Sequence, residues 1–204
     1  MSLLDILIPH SCVLCGKIGS QLCYRCFDYI DFLTGTEPAI YYPDLPLQAV
    51  CRFNPASQHL MHRYKYSGYW ALSSLIGTLM YNHINLPKVD VVTWVPSHSQ
   101  RIHERGFDHM RKVAGCVATQ LQVPLVELLA KKQHTEHQAA NTSKLARKNN
   151  PDLFRYVHQS KISPETTVLL LDDVVTTGST LHSCIAPLSQ QGHQVFTAAF
   201  CVRI

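Results

Sequence analysis

The chain has 204 residues, 46% of them hydrophobic and 16% charged, and its formal net charge of +4 at pH 7 is too small to indicate a nucleic-acid partner by itself. This length and composition suit one folded domain of about 150 residues plus a small extra module, and they exclude an intrinsically disordered protein. No apolar run reaches the roughly 20 residues that span a bilayer, and the first residues lack the basic stretch of a signal peptide, so we expect a cytoplasmic protein without a transmembrane segment.

Two Cys-x-x-Cys pairs lie near the start of the chain. Cys12 and Cys15 form the first pair, and Cys23 and Cys26 form the second, seven residues further on. Four thiolates at this spacing can converge on one tetrahedral zinc ion, which would stabilise a segment too short to fold by apolar burial alone. We therefore predict a structural zinc site. Two disulfides are the alternative, which a reducing compartment disfavours.

The segment 34–46 contains three prolines and a glycine, a composition typical of a linker. We therefore predict a zinc-binding module with its linker over residues 1–45 and a main domain over residues 46–204. The cysteines outside the module lie in apolar stretches and are expected to be small buried side chains: Cys51, Cys116, Cys184 and Cys201.

Predicted strands and helices alternate along the main domain. Apolar runs predict strands over residues 49–53, 89–95, 123–129, 168–171 and 194–202. Apolar residues spaced three and four apart predict helices over residues 72–79, 110–121 and 181–188, the second capped by Asp108 and the third kinked or ended early by Pro187. This alternation predicts an α/β fold with an open, mostly parallel sheet and both of its polar loops, 96–107 and 172–180, at the carboxyl edge.

A long polar segment, Lys131 to Asp152, separates two of these strands. A loop of this length inside a compact domain is usually functional or mobile. Its basic residues are candidate contacts for the phosphates of single-stranded DNA, with Tyr24 or Phe27 as stacking groups, or else they form a solvated face: Lys131, Lys132, Lys144, Arg147 and Lys148. A metal site at His134 and His137 is disfavoured because no third ligand lies at a suitable spacing.

The strand over residues 168–171 leads directly into two acids and a hydroxyl-rich turn. This composition can hold a sugar phosphate, because the carboxylates accept hydrogen bonds from ribose hydroxyls and the hydroxyls and helix start receive the phosphate. Gly178 permits a close approach of the backbone. The alternative is a buried strand followed by an ordinary helix cap. The candidate ligand-binding residues are Asp172, Asp173, Val174, Val175, Thr176, Thr177, Gly178, Ser179 and Thr180.

This segment resembles the 5-phosphoribosyl-1-pyrophosphate (PRPP) motif of type I phosphoribosyltransferases. Together with the four cysteines it is similar to the ComF (GntX-like) family of bacterial proteins linked to DNA uptake. The resemblance implies a sheet of the type I phosphoribosyltransferase kind, PRPP as the ligand, and magnesium bound with PRPP and held indirectly by Asp172 and Asp173.

The same resemblance extends to two further segments. The loop 96–107 is similar to the family's pyrophosphate-binding segment, which implies PRPP contacts from Ser97, His98, Arg101 and Arg105. Lys65, shortly before Gly68, matches a common family lysine and is expected to face the anion site. A charged surface turn and a solvated lysine are the respective alternatives. The family usually carries Asn-Gln where this chain has Asp108 and His109, so no family role is carried over to these two residues.

Two classes of function are compatible with these features. The first is a PRPP-binding, phosphoribosyltransferase-like protein that handles single-stranded DNA in the cytoplasm, or at the inner face of the membrane, during natural transformation. The second is an active enzyme that transfers a phosphoribosyl group from PRPP to an unidentified acceptor and releases pyrophosphate. A zinc-dependent adaptor that docks a helicase-like DNA-uptake ATPase is also compatible with the sequence.

Overall fold

A computed structural model describes residues 11–33, 42–85, 87–132, 153–157 and 162–204. The helices are α1 (Tyr24–Phe27), α2 (Pro55–Tyr66), α3 (Leu72–His83), α4 (Ser99–Arg105), α5 (His109–Leu121) and α6 (Ser179–Ser189). The strands are β1 (Leu47–Arg52), β2 (Val91–Trp94), β3 (Leu129–Lys131), β4 (Phe154–Tyr156), β5 (Thr167–Val175) and β6 (Gln194–Val202).

The main sheet has four strands in the order β1, β6, β5, β2, and every neighbouring pair is parallel. Strands β3 and β4 form a separate antiparallel pair. The α/β fold with an open, mostly parallel sheet is therefore confirmed. Because all four main strands point the same way, the residues that follow β2 and β5 meet at one edge of the sheet.

The central strand β5 is buried on both faces, as its aliphatic run predicts. Leu169 and Leu171 pack on one face in the cluster that contains α3 and α5, whereas Val168 and Leu170 pack on the other face in the cluster that contains α6. All four side chains are 0% exposed. The strand that carries the two acids is thus held between two apolar layers, which fixes the position of its carboxyl end.

The structure corrects four predicted boundaries. Residues 123–129 do not form a strand: only Leu125 bridges β2, and the strand begins at Leu129. The loop 96–107 contains helix α4, and β5 continues through both acids to Val175 rather than ending before them. Helix α6 runs past Pro187 to Ser189, because the turns around the proline remain packed against the sheet. The last strand matches its predicted bounds.

Residues 11–33 lie against the first strand of the sheet. The amide of Arg52 donates to the carbonyl of Asp31 at 2.8 Å, and the amide of Leu33 donates to the carbonyl of Val50 at 2.9 Å. Val13 and Ile30 belong to the same apolar cluster as α3 and α5. The cysteine segment therefore packs on the main core, and a domain boundary at residue 45 stays a prediction.

Three of the four outer cysteines are fully buried, as predicted: Cys51, Cys184 and Cys201 are 0% exposed, whereas Cys116 is half-buried. In the described parts of the chain, no helix combines the length and the apolar character that crossing a membrane requires.

Helices α3 and α5 lie close together at Gly77. A Cβ atom added there would lie 2.6 Å from Cβ of Cys116 and 3.3 Å from the carbonyl oxygen of Val113. We expect Gly77→Ala to lower the free energy of unfolding by about 1–3 kcal/mol, because the two helices must move apart. Urea denaturation followed by circular dichroism measures this loss.

Gly115→Ala is the matched control, because this glycine also lies in α5 but an added Cβ would be 3.7 Å from Leu125. That distance is an ordinary contact, and alanine has the higher helix propensity, so we expect stability to be unchanged or raised by up to about 1 kcal/mol. Equal destabilisation by both substitutions would contradict the packing argument.

Candidate functional site

The two acids of β5 lie at the carboxyl edge of the sheet in different environments. Asp172 is 7% exposed, and its carboxylate accepts a hydrogen bond from the amide of Asp173 at 2.8 Å. Burial, together with the neighbouring charge of Asp173, raises the pKa of Asp172 to about 7. The ligand-free site therefore holds a carboxyl group that is partly protonated at neutral pH.

Asp173 is the charged member of the pair. Burial alone would raise its pKa, but the ammonium group of Lys65 and the ring of His109 hold the pKa of Asp173 well below its usual range. Lys65 forms an ion pair with Asp173 Oδ2, and His109 Nε2 lies 2.5 Å from the same oxygen. Helices α2 and α5 thus each contribute one group that stabilises the charged form of Asp173.

The contacts of His109 define which ring nitrogen carries its proton. Nδ1 lies 3.1 Å from Nη1 of Arg105, which can only donate. Nδ1 must therefore accept, and the proton of the neutral ring is on Nε2, where it is donated to Asp173. Tyr64 donates its hydroxyl to the carbonyl of His109 at 2.6 Å and fixes the backbone of this residue.

The turn after β5 reverses the chain into α6 through Gly178. This residue has a φ of 74°, and an added Cβ would lie 2.6 Å from Leu45 Cδ1. The left-handed backbone and the close neighbour both favour glycine at this position. The hydroxyls of Thr177 and Ser179 lie 3.0 Å apart, and Tyr42 donates to the carbonyl of Thr176 at 2.8 Å. The turn presents hydroxyls and amides around a small hollow at the start of α6.

A cleft of about 450 Å³ lies beside this turn, between the acids and helix α4. Four cations line it: Lys65, Arg101, Arg105 and Lys131. Burial and the positive charge of Arg101 lower the pKa of Lys131. A site that gathers four cations against their mutual repulsion favours a polyanionic ligand.

The structure places the predicted site residues in two adjoining groups. The cleft is lined by Lys65, Ser97, His98, Arg101, Arg105, Asp172, Asp173, Val174 and Thr180. The hollow at the start of α6 is lined by Asp172 together with Val174, Val175, Thr176, Thr177, Gly178, Ser179 and Thr180. Every residue that was predicted to contact PRPP thus borders one of the two spaces. The roles of these residues in ligand binding stay predictions.

Sequence reasoning missed two members of this site. The family usually carries glutamine where this chain has His109. No family pattern therefore indicated that His109 contacts Asp173. Lys131 was predicted as a DNA contact, but it lines the same cleft as Arg101. Its place at the end of a short strand next to a polar segment was the available signal. The other predicted contacts in that segment, Lys144, Arg147 and Lys148, lie outside the described residues, as do His134 and His137.

The four cysteines of the N-terminal segment form a second site. Their sulfur atoms all lie within 4.8 Å of one another, and those of Cys15 and Cys23 are 3.7 Å apart. Tetrahedral coordination at about 2.3 Å per zinc–sulfur bond places neighbouring sulfurs about 3.8 Å apart. The amide of Cys23 also donates to Sγ of Cys12 at 3.4 Å, which stabilises a thiolate. The donor set and its spacing fit zinc.

Comparison with known proteins agrees with this geometry. Residues 111–203, which contain β5, the turn and α6, match the phosphoribosyl transferase domain family. Competence protein F of Haemophilus influenzae is 25% identical over 143 residues, which span 65% of this chain and 62% of that protein. The chain thus spans less than two thirds of this relative. The chain is thus similar to a phosphoribosyl transferase domain over residues 111–203 and, more distantly, to a competence protein.

Two solved structures align with part of this chain. Glutamine PRPP amidotransferase from B. subtilis is 19% identical, with a TM-score of 0.45 over 62% of this chain and 25% of that chain. Adenine phosphoribosyltransferase from Thermoanaerobacter pseudethanolicus is 15% identical, with a TM-score of 0.43 over 66% of this chain and 82% of that chain.

The raised pKa of Asp172 predicts how stability changes with pH. The folded protein holds this proton more tightly than the unfolded chain, so the contribution of Asp172 to stability is present below about pH 4 and is lost as the pH rises through about 7. Asp172→Asn removes the titrating carboxyl group, and with it the loss of stability at rising pH. We expect the free energy of unfolding of the variant to rise relative to wild type between about pH 5 and pH 8.

Urea denaturation at several pH values measures this difference. Asp28→Asn is the control, since Asp28 is exposed at the end of α1 in the cysteine segment. The lowered pKa of Asp173 acts in the opposite sense, but at more acidic pH, and does not interfere in this window. A difference between variant and wild type that does not change with pH would contradict the assigned protonation of Asp172.

Proposed function

We propose that this chain is a phosphoribosyltransferase-like protein of the ComF kind and that it binds PRPP. The match of residues 111–203 to the phosphoribosyl transferase domain family and the similarity to a competence protein support this proposal. The observation that carries the proposal is the cationic cleft of about 450 Å³ that adjoins two acids and a hydroxyl-rich turn. PRPP has a phosphate at one end, hydroxyls in the middle and a pyrophosphate at the other end. The three parts of the site match these groups in the same order.

In this arrangement the turn receives the 5-phosphate. The hydroxyls of Thr177 and Ser179 and the amides at the start of α6 supply donors without a full positive charge. Asp172 and Asp173 accept hydrogen bonds from the ribose hydroxyls. The cations of the cleft then face the pyrophosphate, and Arg101 and Arg105 can each donate two parallel hydrogen bonds to phosphate oxygens.

Ligand binding exchanges partners at Asp173. In the described structure this carboxylate is held by Lys65 and His109. When ribose hydroxyls donate to Asp173, the ammonium group of Lys65 becomes available to the pyrophosphate, because it lines the same cleft. The site keeps its acids compensated before the ligand arrives and redistributes the same charges afterwards.

Magnesium fits this site through the ligand rather than through the acids alone. Asp173 already has a cationic partner, and the pKa of Asp172 is raised, so the pair is a poor direct chelator. Asp172 and Asp173 would hold the ion indirectly, through ribose hydroxyls or water. Magnesium bound with PRPP would neutralise part of the pyrophosphate charge.

We further propose that Cys12, Cys15, Cys23 and Cys26 bind a structural zinc ion. Four cysteines complete a tetrahedral shell and leave no position for a reacting water, so the ion would serve folding and not chemistry. Val13 and Ile30 lie in the cluster that contains α3 and α5, so folding of the cysteine segment would also complete the main core.

The biological setting is proposed from the relative's name. The name of Competence protein F indicates a role in competence for that relative. We propose that this chain also acts in DNA uptake, where it handles single-stranded DNA in the cytoplasm or at the inner face of the membrane. A helicase-like uptake ATPase is the proposed protein partner. PRPP then acts either as a regulatory ligand or as the donor of a phosphoribosyl group.

The PRPP site predicts magnesium-dependent binding that requires both acids. We expect isothermal titration calorimetry to detect PRPP binding to the wild-type protein, and Asp172→Ala combined with Asp173→Ala to weaken it by 100-fold or more, roughly 1.5 kcal/mol for each lost charge-assisted hydrogen bond. Asp90→Ala is the control, because this acid is exposed at the opposite edge of the sheet, next to the start of β2. Unchanged affinity in the double variant would remove the proposal.

A pyrophosphate-release assay on the same purified protein distinguishes a binding protein from an enzyme. Release of pyrophosphate from PRPP is measured in the presence of nucleobases, amines or single-stranded DNA. Release with one of these acceptors would identify a transferase and its acceptor class. Binding without release across the panel assigns PRPP the role of a ligand.

Zinc removal is expected to destabilise the whole chain. Purified protein should contain one zinc per chain by mass spectrometry, and Cys12→Ala should lose it and lower the melting temperature, since residues 11–33 pack on the main core. Cys116→Ala should keep the zinc, because this half-buried cysteine lies on α5. Full metal content in Cys12→Ala would contradict the four-cysteine site.

A further inference from the structure

An exposed aromatic turn joins helices α2 and α3. It comprises residues 66–70, and it carries Tyr66, Tyr69 and Trp70, which are 60%, 37% and 61% exposed. Exposed aromatic side chains do not gain the favourable free energy of burial. Three of them within five residues therefore indicate a binding surface.

Each ring of the aromatic turn has a cation against it. The guanidinium carbon of Arg63 lies 4.5 Å from the ring centre of Tyr69, and that of Arg105 lies 4.8 Å from the ring centre of Tyr66. Nζ of Lys112 lies 5.6 Å from the ring centre of Trp70. The surface therefore alternates flat apolar faces with positive charges.

The surrounding sequence reinforces this charge. No Asp or Glu occurs from Leu45 to Val89, a stretch that includes β1, α2, the aromatic turn and α3, and none occurs in α5. The acids at Glu104 and Asp108 are engaged: Glu104 accepts from Gln100 at 3.1 Å, and Asp108 accepts from the indole of Trp94 at 2.9 Å. Helices α2 and α5, which supply Arg63 and Lys112 to this surface, thus carry basic side chains and no acidic ones.

The aromatic turn is held in place from both sides. Ser73 donates its hydroxyl to the carbonyl of Trp70 at 2.8 Å, and Gln21 of the cysteine segment donates to the carbonyl of Ala71 at 3.4 Å. On the other side, Nη2 of Arg105 donates to the hydroxyl of Tyr66 at 3.1 Å. Arg105 also lines the cationic cleft, so the aromatic turn bridges the cysteine segment and the cleft.

We propose that the aromatic turn, together with Arg63, Arg105 and Lys112, binds single-stranded nucleic acid. Unpaired bases stack on aromatic faces, and the cations between these faces neutralise the phosphates that link the bases. A duplex hides the faces of its bases and leaves only the phosphate contacts. This inference rests on the single-stranded DNA part of the proposed function and assigns it a surface different from the Lys131 to Asp152 segment and from Tyr24 and Phe27.

The test measures binding of a labelled oligothymidylate of about 16 nucleotides to the full-length, zinc-containing protein by fluorescence anisotropy. We expect Tyr69→Leu combined with Trp70→Leu to weaken binding by about tenfold or more, because two stacking faces are lost. Tyr81→Leu is the matched control: Tyr81 is 41% exposed on α3, and we expect its substitution to change affinity by less than about twofold.

Two further measurements are specific to this surface. Lys112→Gln should reduce the slope of log affinity against log salt by about one, whereas Lys88→Gln should not, because Lys88 lies outside the surface. Oligothymidylate should also quench tryptophan emission in the wild-type protein but not in Trp70→Leu, since the remaining Trp94 is only 4% exposed.

The outcomes separate this inference from the proposed function. Magnesium-dependent PRPP binding and an unchanged melting temperature show that the variants are folded. Oligothymidylate binding that persists in the Tyr69 and Trp70 variant would overturn the surface while the DNA role stands. If the wild-type protein does not bind the oligonucleotide, both the surface and the DNA role fail, but PRPP binding is unaffected. Equal affinity for duplex DNA or for polyglutamate would show that charge attraction, and not base stacking, drives binding. This result would also overturn the proposal.

Discussion

The arrangement of the site depends on burying two adjacent carboxylates at the end of a central strand. Such a pair would repel itself unless opposite charges or protons compensate it. This protein uses both solutions, because Asp172 tends to keep a proton and Asp173 pairs with Lys65 and His109. The compensating groups come from α2 and α5, so the site exists only when both helices are packed on the sheet.

Two buried tyrosines orient the backbone around the site. Tyr64 fixes the backbone of His109, and the single hydroxyl proton of Tyr42 is shared between the carbonyls of Thr176 and Arg203, at 2.8 Å and 3.0 Å. Both tyrosines are distant in sequence from the groups that they orient. A ligand with several phosphates gains affinity from such a site, because its donors are ordered before binding.

Arg105 connects the regions of the protein that carry proposed roles. It lines the cleft, contacts His109 and covers the ring of Tyr66. The cysteine segment reaches the other end of the aromatic turn through Gln21. This continuity gives the N-terminal segment a structural part in both proposals: it completes the apolar core and supports the exposed aromatic turn.

Sequence alone determined the elements with strong local patterns. The aliphatic run of β5, the acids and the glycine after them, the cysteine spacing and the cap at Asp108 all act within a few residues, so their patterns can be interpreted without the fold. The predicted sheet and helices followed from the same local periodicities. The weak pattern over residues 123–129 gave a wrong strand, because pairing at a sheet edge depends on the neighbouring strand.

The tertiary structure alone decided which distant groups meet. Nothing in the sequence indicated that His109 contacts Asp173 across 64 residues, or that Lys131 and Arg101 line the same cleft. It also decided that Tyr66, Tyr69 and Trp70 stay exposed while Tyr64 is buried, although all four lie in one aromatic stretch. Burial and charge compensation depend on packing between elements, and local sequence carries no direct record of that packing.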